Sequence, residues 1–242
     1  MKIQTYGTPG SPCVLLLHGM FDDGGMFAPV APYLEKDYFV AVPTLDGYDE
    51  ASSESYPGAE EEVARLAAWL ADAGVRELAA AAGSSLGAML VWKLCQRGGV
   101  PVHRLVLDSA PFGWEPSLAV ENTAGFWETV EQVKALPPDT PSIFEDGYSA
   151  VGPVMRRCCQ FVTHDTIRRS CEDCFGVKLP PRLDVPGTVI VASYGDQDPN
   201  YQLHGKDLAG RTDLTLDVRP GLGHCGFLLA QPEQFAALLC GK

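Results

Sequence analysis

The sequence predicts an α/β fold, with a mostly parallel central sheet and helices on both of its faces. Short apolar runs, typical of strands buried on both faces, alternate with stretches whose apolar residues recur at helical spacing. The chain has 242 residues, which is enough for one sizeable core. Its content of 46% apolar and 20% charged residues is that of a globular protein and excludes disorder, collagen and coiled coil.

The predicted strands are short runs rich in apolar residues. Cys13–Leu17 is entirely apolar and ends at a His-Gly turn, and Pro43 closes the next run, 39–42. Further strands are predicted at 77–82, 104–107, 188–192 and 214–218. Because predicted helices separate several of these runs, we expect most of the strands to pair in parallel.

Three segments of the predicted core carry helical signals. Segment 58–73 places Val63, Leu66 and Leu70 on one face, has acidic residues in its first turn and stops at Gly74. A second helix is predicted at 85–96, before a Gly-Gly pair, and a closing helix at 227–239.

The alternation of strands and helices lapses between residues 107 and 188. This stretch has Pro-rich breaks and helical stripes but no convincing strand. A structureless loop of that length is improbable in a compact domain. We therefore predict a helical insertion at 112–185 that divides the core into residues 1–111 and 186–242.

Charge and composition limit the partners and the location of the protein. The formal charge is −13, from 18 basic and 31 acidic residues, which disfavours nucleic acid and anionic membranes as partners. No apolar run has the length of a secretory or membrane-spanning segment. We expect a cytoplasmic protein, a monomer or homodimer, whose eight cysteines are mostly reduced thiols.

The pentapeptide Gly83-Ser84-Ser85-Leu86-Gly87 matches the G-x-S-x-G pattern. It follows a predicted strand and opens a predicted helix, which is the context in which this pattern marks a nucleophile. Glycines on either side allow a sharp turn, and the helix N-terminus favours developing negative charge. Ser85 is therefore the candidate nucleophile, and Ser84, which lacks glycines two residues away on each side, is its rival.

A nucleophilic serine needs a base and a carboxylate that orients the base. Of five histidines, His224 lies in a glycine-rich loop between the last strand and the last helix, at the sheet edge where such folds bind ligands. Three aspartates follow predicted strands and are candidates for the acid: Asp108, Asp196 and Asp198. The residues alone leave the choice among them open.

Several motifs, in this order along the chain, resemble the α/β-hydrolase superfamily. They are His18-Gly19-Met20, Thr44-Leu45-Asp46-Gly47-Tyr48, the Gly83–Gly87 pentapeptide, Gly195-Asp196-Gln197-Asp198-Pro199 and Gly223-His224. The resemblance covers about residues 11–110 and 186–240, which is nearly everything outside the insertion. The order Ser, Asp, His is also that of the superfamily.

The resemblance implies a role for each of these motifs. Ser85 becomes the nucleophile, His224 the base and Asp198 the acid, which is favoured over Asp196 because the acid often precedes Pro. The backbone N–H groups of Met20 and Leu86 would form the oxyanion hole. His18 would have a structural role in positioning the loop.

The insertion falls where the superfamily carries its helical lid. Aromatic residues of that segment could line a substrate pocket, although we expect most of them only to attach the lid: Phe112, Trp114, Phe126, Trp127, Phe144, Tyr148 and Phe161. Cysteines and His164 in the same segment could bind zinc: Cys158, Cys159, Cys171 and Cys174. Cys171 and Cys174 share an apolar helical stripe with Ile167 and Phe175, which favours burial as thiols, and a disulfide within the insertion stays open.

The resemblance implies a serine hydrolase that cleaves a small carboxylic ester or a related acyl compound, with no cofactor and no metal. Because the nucleophile is Ser rather than Asp, dehalogenase and epoxide hydrolase chemistry are disfavoured. Thioester, lactone or carbon–carbon bond hydrolysis by the same triad stays open. So does a non-catalytic member of the fold that binds a small molecule.

Overall fold

A computed structural model of the chain, which describes residues 1–112, 115, 117–148, 150–183 and 185–242, confirms the predicted α/β class. The described residues form a seven-stranded sheet in the order β1-β3-β2-β4-β5-β6-β7. All neighbouring strands are parallel except the β1–β3 pair. The strands are β1 (Lys2–Tyr6), β2 (Cys13–Leu17), β3 (Phe39–Thr44), β4 (Leu78–Ser84), β5 (Arg104–Asp108), β6 (Val189–Gly195) and β7 (Thr215–Arg219).

Helices cover both faces of the sheet, so the central strands are apolar on both sides. In β2, Leu15 and Leu17 belong to one hydrophobic cluster, and Val14 and Leu16 belong to the cluster on the opposite face. This explains why the buried strands have no polar alternation. The helices are α1 (Ala59–Asp72), α2 (Leu86–Arg97), α3 (Leu118–Ala135), α4 (Ile143–Gly147), α5 (Gly152–Phe161), α6 (His164–Phe175), α7 (Pro199–Ala209), α8 (Gly226–Ala230) and α9 (Pro232–Leu239).

Three elements differ from the sequence prediction, each for a local reason. Strand β1 was not predicted because it is an edge strand with mostly exposed residues and no apolar run. Helix α7 was missed because Pro199 looks like a breaker, whereas it occupies the first turn, where its missing N–H costs nothing. The predicted helix 227–239 is wrong as one element: Pro232 forces Gln231 out of helical conformation, which separates α8 from α9.

Along the chain, helices α3 to α6 follow β5 and precede β6, and α6 is hydrogen-bonded to residues of the core. The Tyr48 hydroxyl and the Ser170 hydroxyl are 2.8 Å apart, and Asp173 accepts hydrogen bonds from the Tyr56 hydroxyl at 3.0 Å and from Ala59 N–H at 2.7 Å. The division of the chain into a core and a lid stays a prediction. Within the described ranges, no helix is long and apolar enough to cross a membrane.

Candidate active site

Ser85 occupies a sharp turn between β4 and α2. Its backbone angles, φ 53° and ψ −115°, are strained for any residue with a side chain. A Cβ atom at Gly83 would overlap the backbone of Gly87, and one at Gly87 would overlap the Leu17 carbonyl. Both glycines of the pentapeptide are therefore required by close backbone packing, as their spacing predicted.

The rival hydroxyl of Ser84 points away from this turn into the sheet. Ser84 is completely buried, and its hydroxyl donates a 2.7 Å hydrogen bond to Asp108 Oδ2. Asp108 in turn accepts the Ser85 N–H on its backbone carbonyl at 2.9 Å. Ser84 and Asp108 are thus bonded to each other and to the Ser85 turn, and no hydrogen bond or ion pair between Asp108 and the His224 imidazole occurs among the described residues.

Of the three candidate aspartates, Asp198 is the one bonded to His224. The His224 Nδ1 atom lies 3.1 Å from Asp198 Oδ2, and the Asp198 side chain is fully buried. Asp198 is also the N-cap of α7, since its Oδ1 accepts the Asn200 N–H at 2.9 Å. Asp196 is exposed and accepts the Gly221 N–H instead, at 2.8 Å.

The protonation equilibria follow these contacts. Burial opposes ionisation of Asp198, but the hydrogen bond from His224, the charge of that imidazole and the hydrogen bonds from Ser109 and the Asn200 N–H together outweigh it, so the pKa of this carboxyl is lowered. Burial also opposes a charged imidazole, yet the adjacent Cys225 and the Asp198 carboxylate raise the pKa of His224 well above its usual value. Asp108 is bonded to the neutral Ser84 hydroxyl, and burial raises its pKa to about 7 against the opposing effects of that bond and of the His224 charge.

The sequence did not point to Ser109, which links the acid and base loops. Its hydroxyl accepts the Cys225 N–H at 2.8 Å, and its carbonyl accepts a 3.2 Å hydrogen bond from the Asn200 side chain. A hydrogen bond from the Ser109 side chain also helps to lower the pKa of Asp198. Its position at the carboxyl end of β5, directly after Asp108, was the available signal.

The loop after β2 lies directly beside the nucleophile. A Cβ atom at Gly19 would be 3.3 Å from the Ser85 Cβ, so Met20 follows at the rim of the same turn. Leu86 is the first residue of α2, and its N–H therefore has no acceptor within the helix. His18 is completely buried between the Gly19 carbonyl at 2.7 Å and the Leu45 N–H at 2.9 Å, and burial lowers its pKa to about 4.

Ser85 and His224 share the wall of one cavity of about 160 Å³. Apart from Asp22, Asn200 and these two residues, most of its lining is apolar or aromatic. Of the aromatic residues predicted in the insertion, Phe126, Phe144 and Tyr148 line this cavity, together with Phe175. Phe112 packs edge-on against Trp92 and Trp127 against His164, whereas Trp114 lies outside the described residues.

The cysteines of the insertion are buried thiols in an apolar setting. All eight cysteines are unpaired, and Cys158, Cys159, Cys171 and Cys174 are buried. Burial raises the pKa of Cys171 to about 11. Within the part of the chain that the structure describes, no three His, Cys, Asp or Glu side chains are grouped so that they could hold a metal ion.

Solved structures with the same fold extend over nearly the whole chain. An alpha/beta hydrolase family protein from Desulfitobacterium hafniense is 22% identical, with a TM-score of 0.77 and 98% of each chain covered. A hydrolase from Pseudomonas aeruginosa PA01 is 17% identical, with a TM-score of 0.80, over 99% of this chain and 94% of that chain. The enol-lactonase from Burkholderia xenovorans LB400 is 14% identical, with a TM-score of 0.76, over 99% and 95%.

Two sequence comparisons accompany these structural ones. A search of curated proteins finds no match. The sequence model described as "Alpha/beta hydrolase family" matches residues 14–238, which is most of the chain and includes Ser85, Asp198 and His224. The chain therefore belongs to the alpha/beta hydrolase family.

Proposed function

We propose that this protein is a serine hydrolase that cleaves a small carboxylic ester or a related acyl substrate through an acyl-enzyme. Membership of the alpha/beta hydrolase family supports hydrolase activity in general. The observation that carries the finer proposal is the site itself. Ser85 and His224 line one cavity, and the buried Asp198 contacts the Nδ1 side of the imidazole.

In the proposed reaction, the Ser85 hydroxyl oxygen attacks the substrate carbonyl while His224 takes the hydroxyl proton. Asp198 holds the imidazole in the tautomer with its free lone pair on Nε2 and stabilises its cation. The N–H groups of Met20 and Leu86 bind the oxyanion. Loss of one such donor costs about 10²–10³ in rate in related chemistry.

The second half of the reaction releases the acyl group. His224 first gives its proton to the leaving alcohol, and it then takes a proton from water as the water attacks the acyl-Ser85 ester. We propose that α3 to α6 act as a lid over this site, because their aromatic residues Phe126 and Phe144 form part of the cavity wall.

Cavity size supports a small acyl group. The volume of about 160 Å³ is close to the roughly 150 Å³ at which an apolar protein cavity accepts benzene. Acetyl to benzoyl groups fit such a space, whereas a long fatty acyl chain requires displacement of the inserted helices. We expect kcat/KM to fall as the acyl chain is lengthened beyond about six carbons.

The first test is covalent labelling with a fluorophosphonate, measured as intact-protein mass. We expect one adduct on the wild type and none on Ser85→Ala. Ser84→Ala is the matched control, because it removes the neighbouring hydroxyl and should still be labelled at Ser85. Absence of an adduct on the wild type would remove the serine-hydrolase proposal and favour a non-catalytic binding protein.

Labelling cannot tell which acyl bond is cleaved. A panel of short esters, thioesters and lactones, assayed by release of acid, separates these substrates. Multiple turnover of an ester by the wild type, lost in Ser85→Ala, is the expected result. A preference for lactones would shift the proposal to that class, which one structural neighbour represents.

A further inference from the structure

Asp22 is a buried carboxylate in the wall of the catalytic cavity. It follows the Met20 loop and has only 2% of its surface exposed. Among the described lining residues it is the sole carboxylic acid in a wall that is mostly apolar, and no Lys or Arg lines the cavity. Asp22 also lines an adjoining polar cavity of about 260 Å³, so its side chain separates the two spaces.

The carboxylate of Asp22 has few partners for a buried charge. The Asp23 N–H donates to its Oδ1 atom at 2.9 Å, and no other hydrogen bond or ion pair of Asp22 occurs among the described residues. The equally buried Asp198 is different, since it has His224 on one oxygen and the Asn200 N–H on the other. Buried carboxylates are normally hydrogen-bonded on both oxygens, so the Oδ2 atom of Asp22 has the capacity to accept a further donor.

Burial of Asp22 also affects its protonation. Burial raises its pKa to about 7, against the opposing effects of the Asp23 N–H and of Arg157. A cationic donor bound beside it would offset this cost, because a charge-assisted hydrogen bond favours the ionised carboxylate.

The surroundings of Asp22 favour a positive charge. The adjoining cavity is lined by four acidic residues, Asp22, Asp23, Asp49 and Glu50, and by two basic ones, Lys2 and Arg157. The whole chain carries a formal charge of −13, which attracts cations to its clefts. Aromatic faces also attract cations, and Phe126, Phe144 and Phe175 line the catalytic cavity with Asp22.

We propose that Asp22 is a specificity residue that binds a primary ammonium group on the acyl part of the substrate. The inference rests on the proposed esterase function and adds the chemical class of its substrate, a short ester with an amino group at the end of its acyl chain. The leaving alcohol must lie against His224, which protonates it. The acyl chain then occupies the rest of the cavity, where Asp22 lies.

Three phenyl esters that differ in one terminal group test the proposal: phenyl 3-aminopropanoate, phenyl 3-hydroxypropanoate and phenyl butanoate. At about pH 8 the amine is protonated and Asp22 is ionised. We expect the wild-type kcat/KM for the ammonium ester to exceed that for the isosteric butanoate about 10- to 100-fold. Equal values, or a preference for the butanoate or the hydroxy ester, would overturn the proposal.

The variant Asp22→Asn removes the charge and keeps the shape, so the ratio of the two kcat/KM values should collapse to about one. Asp49→Asn is the matched control, because Asp49 lines only the adjoining cavity, and its loss should lower the ratio by no more than about twofold. A retained ratio in Asp22→Asn, or an equal loss in Asp49→Asn, would contradict the assignment. The wild-type ratio needs no variant, and a ratio of about one overturns the proposal even if Asp22→Asn fails to fold.

A binding measurement separates this inference from the proposed function. The anilides of 3-aminopropanoic and butanoic acid carry the same end groups and resist hydrolysis, and calorimetry gives their affinities for the wild type. Tighter binding of the ammonium anilide supports the Asp22 site even if no ester is hydrolysed, in which case the esterase proposal alone fails. Equal affinity of the two anilides overturns the Asp22 proposal whether or not esters are hydrolysed.

Discussion

Replacement of Asp198 by asparagine tests the proposed triad most directly. The structure allows the new side chain to keep the N-cap bond to the Asn200 N–H, since Asn and Asp are equally good N-caps. Its amide nitrogen would then face His224 Nδ1 in place of Oδ2, 3.1 Å away. The amide donates a proton to Nδ1, which forces the other tautomer and leaves Nε2 without the lone pair that the Ser85 proton needs.

The expected loss in kcat for Asp198→Asn is roughly 10⁴-fold, the size found when the tautomer is reversed in a Ser-His-Asp triad. This corresponds to about 5.4 kcal/mol of lost transition-state stabilisation. Hydrolysis of phenyl butanoate, followed by phenol release, covers this range of rates. Thermal unfolding of the same samples shows whether the variant is folded.

Asp196→Asn is the control for this experiment, because the Asp196 carboxylate is exposed and bonded to the Gly221 N–H rather than to the imidazole. We expect its kcat to stay within about twofold of the wild type, as for other surface changes. If Asp196→Asn abolishes activity while a folded Asp198→Asn retains it, the acid has been assigned to the wrong aspartate.

Three further predictions follow from the same geometry. The wild-type kcat/KM should rise with pH, because His224 must be neutral to accept a proton. The pKa of His224 is raised, so the midpoint of this rise should lie above pH 6.5. A midpoint below pH 6.5 in a pH–rate profile would contradict the prediction. Ser109→Ala should lower the free energy of unfolding in urea by about 1–3 kcal/mol, because the buried Cys225 N–H loses its acceptor, and should lower kcat as the loop shifts. Gly87→Ala should cost about 1–3 kcal/mol or more through overlap with the Leu17 carbonyl, whereas Gly125→Ala, a helical site with open space around it, should be neutral or stabilising.

Local sequence signals were sufficient to predict the fold class and the sharp turn at Ser85. The strand Cys13–Leu17 is apolar throughout because both of its faces are buried, and its five consecutive apolar residues are a sufficient signal in the sequence. The glycines of the pentapeptide are spaced by a packing requirement within a single strand–turn–helix unit, so their pattern is local too. By contrast, β1 is a strand because it pairs with β3, and its own residues have no pattern that predicts an edge strand.

Residues that act across the site could not be found in this way. Ser109 and Cys225 are 116 positions apart in the sequence, and they form a hydrogen bond only because the fold brings their two loops together. Nothing in the local sequence distinguishes Ser109 from the other serines. Asp22 likewise follows a recognisable His-Gly loop, but its burial in the cavity wall with a single hydrogen bond is a property of the fold and not of the motif. Sequence patterns predict which residues lie at the sheet edge. Their burial and their hydrogen-bond partners in the folded chain determine which of their polar atoms remain available to a ligand.

The backbone itself marks the site independently of any motif. Among the described residues, four non-glycine residues have positive φ: Phe21 at 65°, Ser85 at 53°, Ser109 at 55° and Cys225 at 54°. Each adjoins a proposed functional group, since Phe21 lies between Met20 and Asp22, Cys225 follows His224, and Ser109 joins the acid and base loops. Such conformations cost of order 1–3 kcal/mol each and persist only where the surrounding contacts impose them. Their concentration at one sheet edge is therefore evidence, separate from the sequence motifs, that the fold is built to hold these four turns in place.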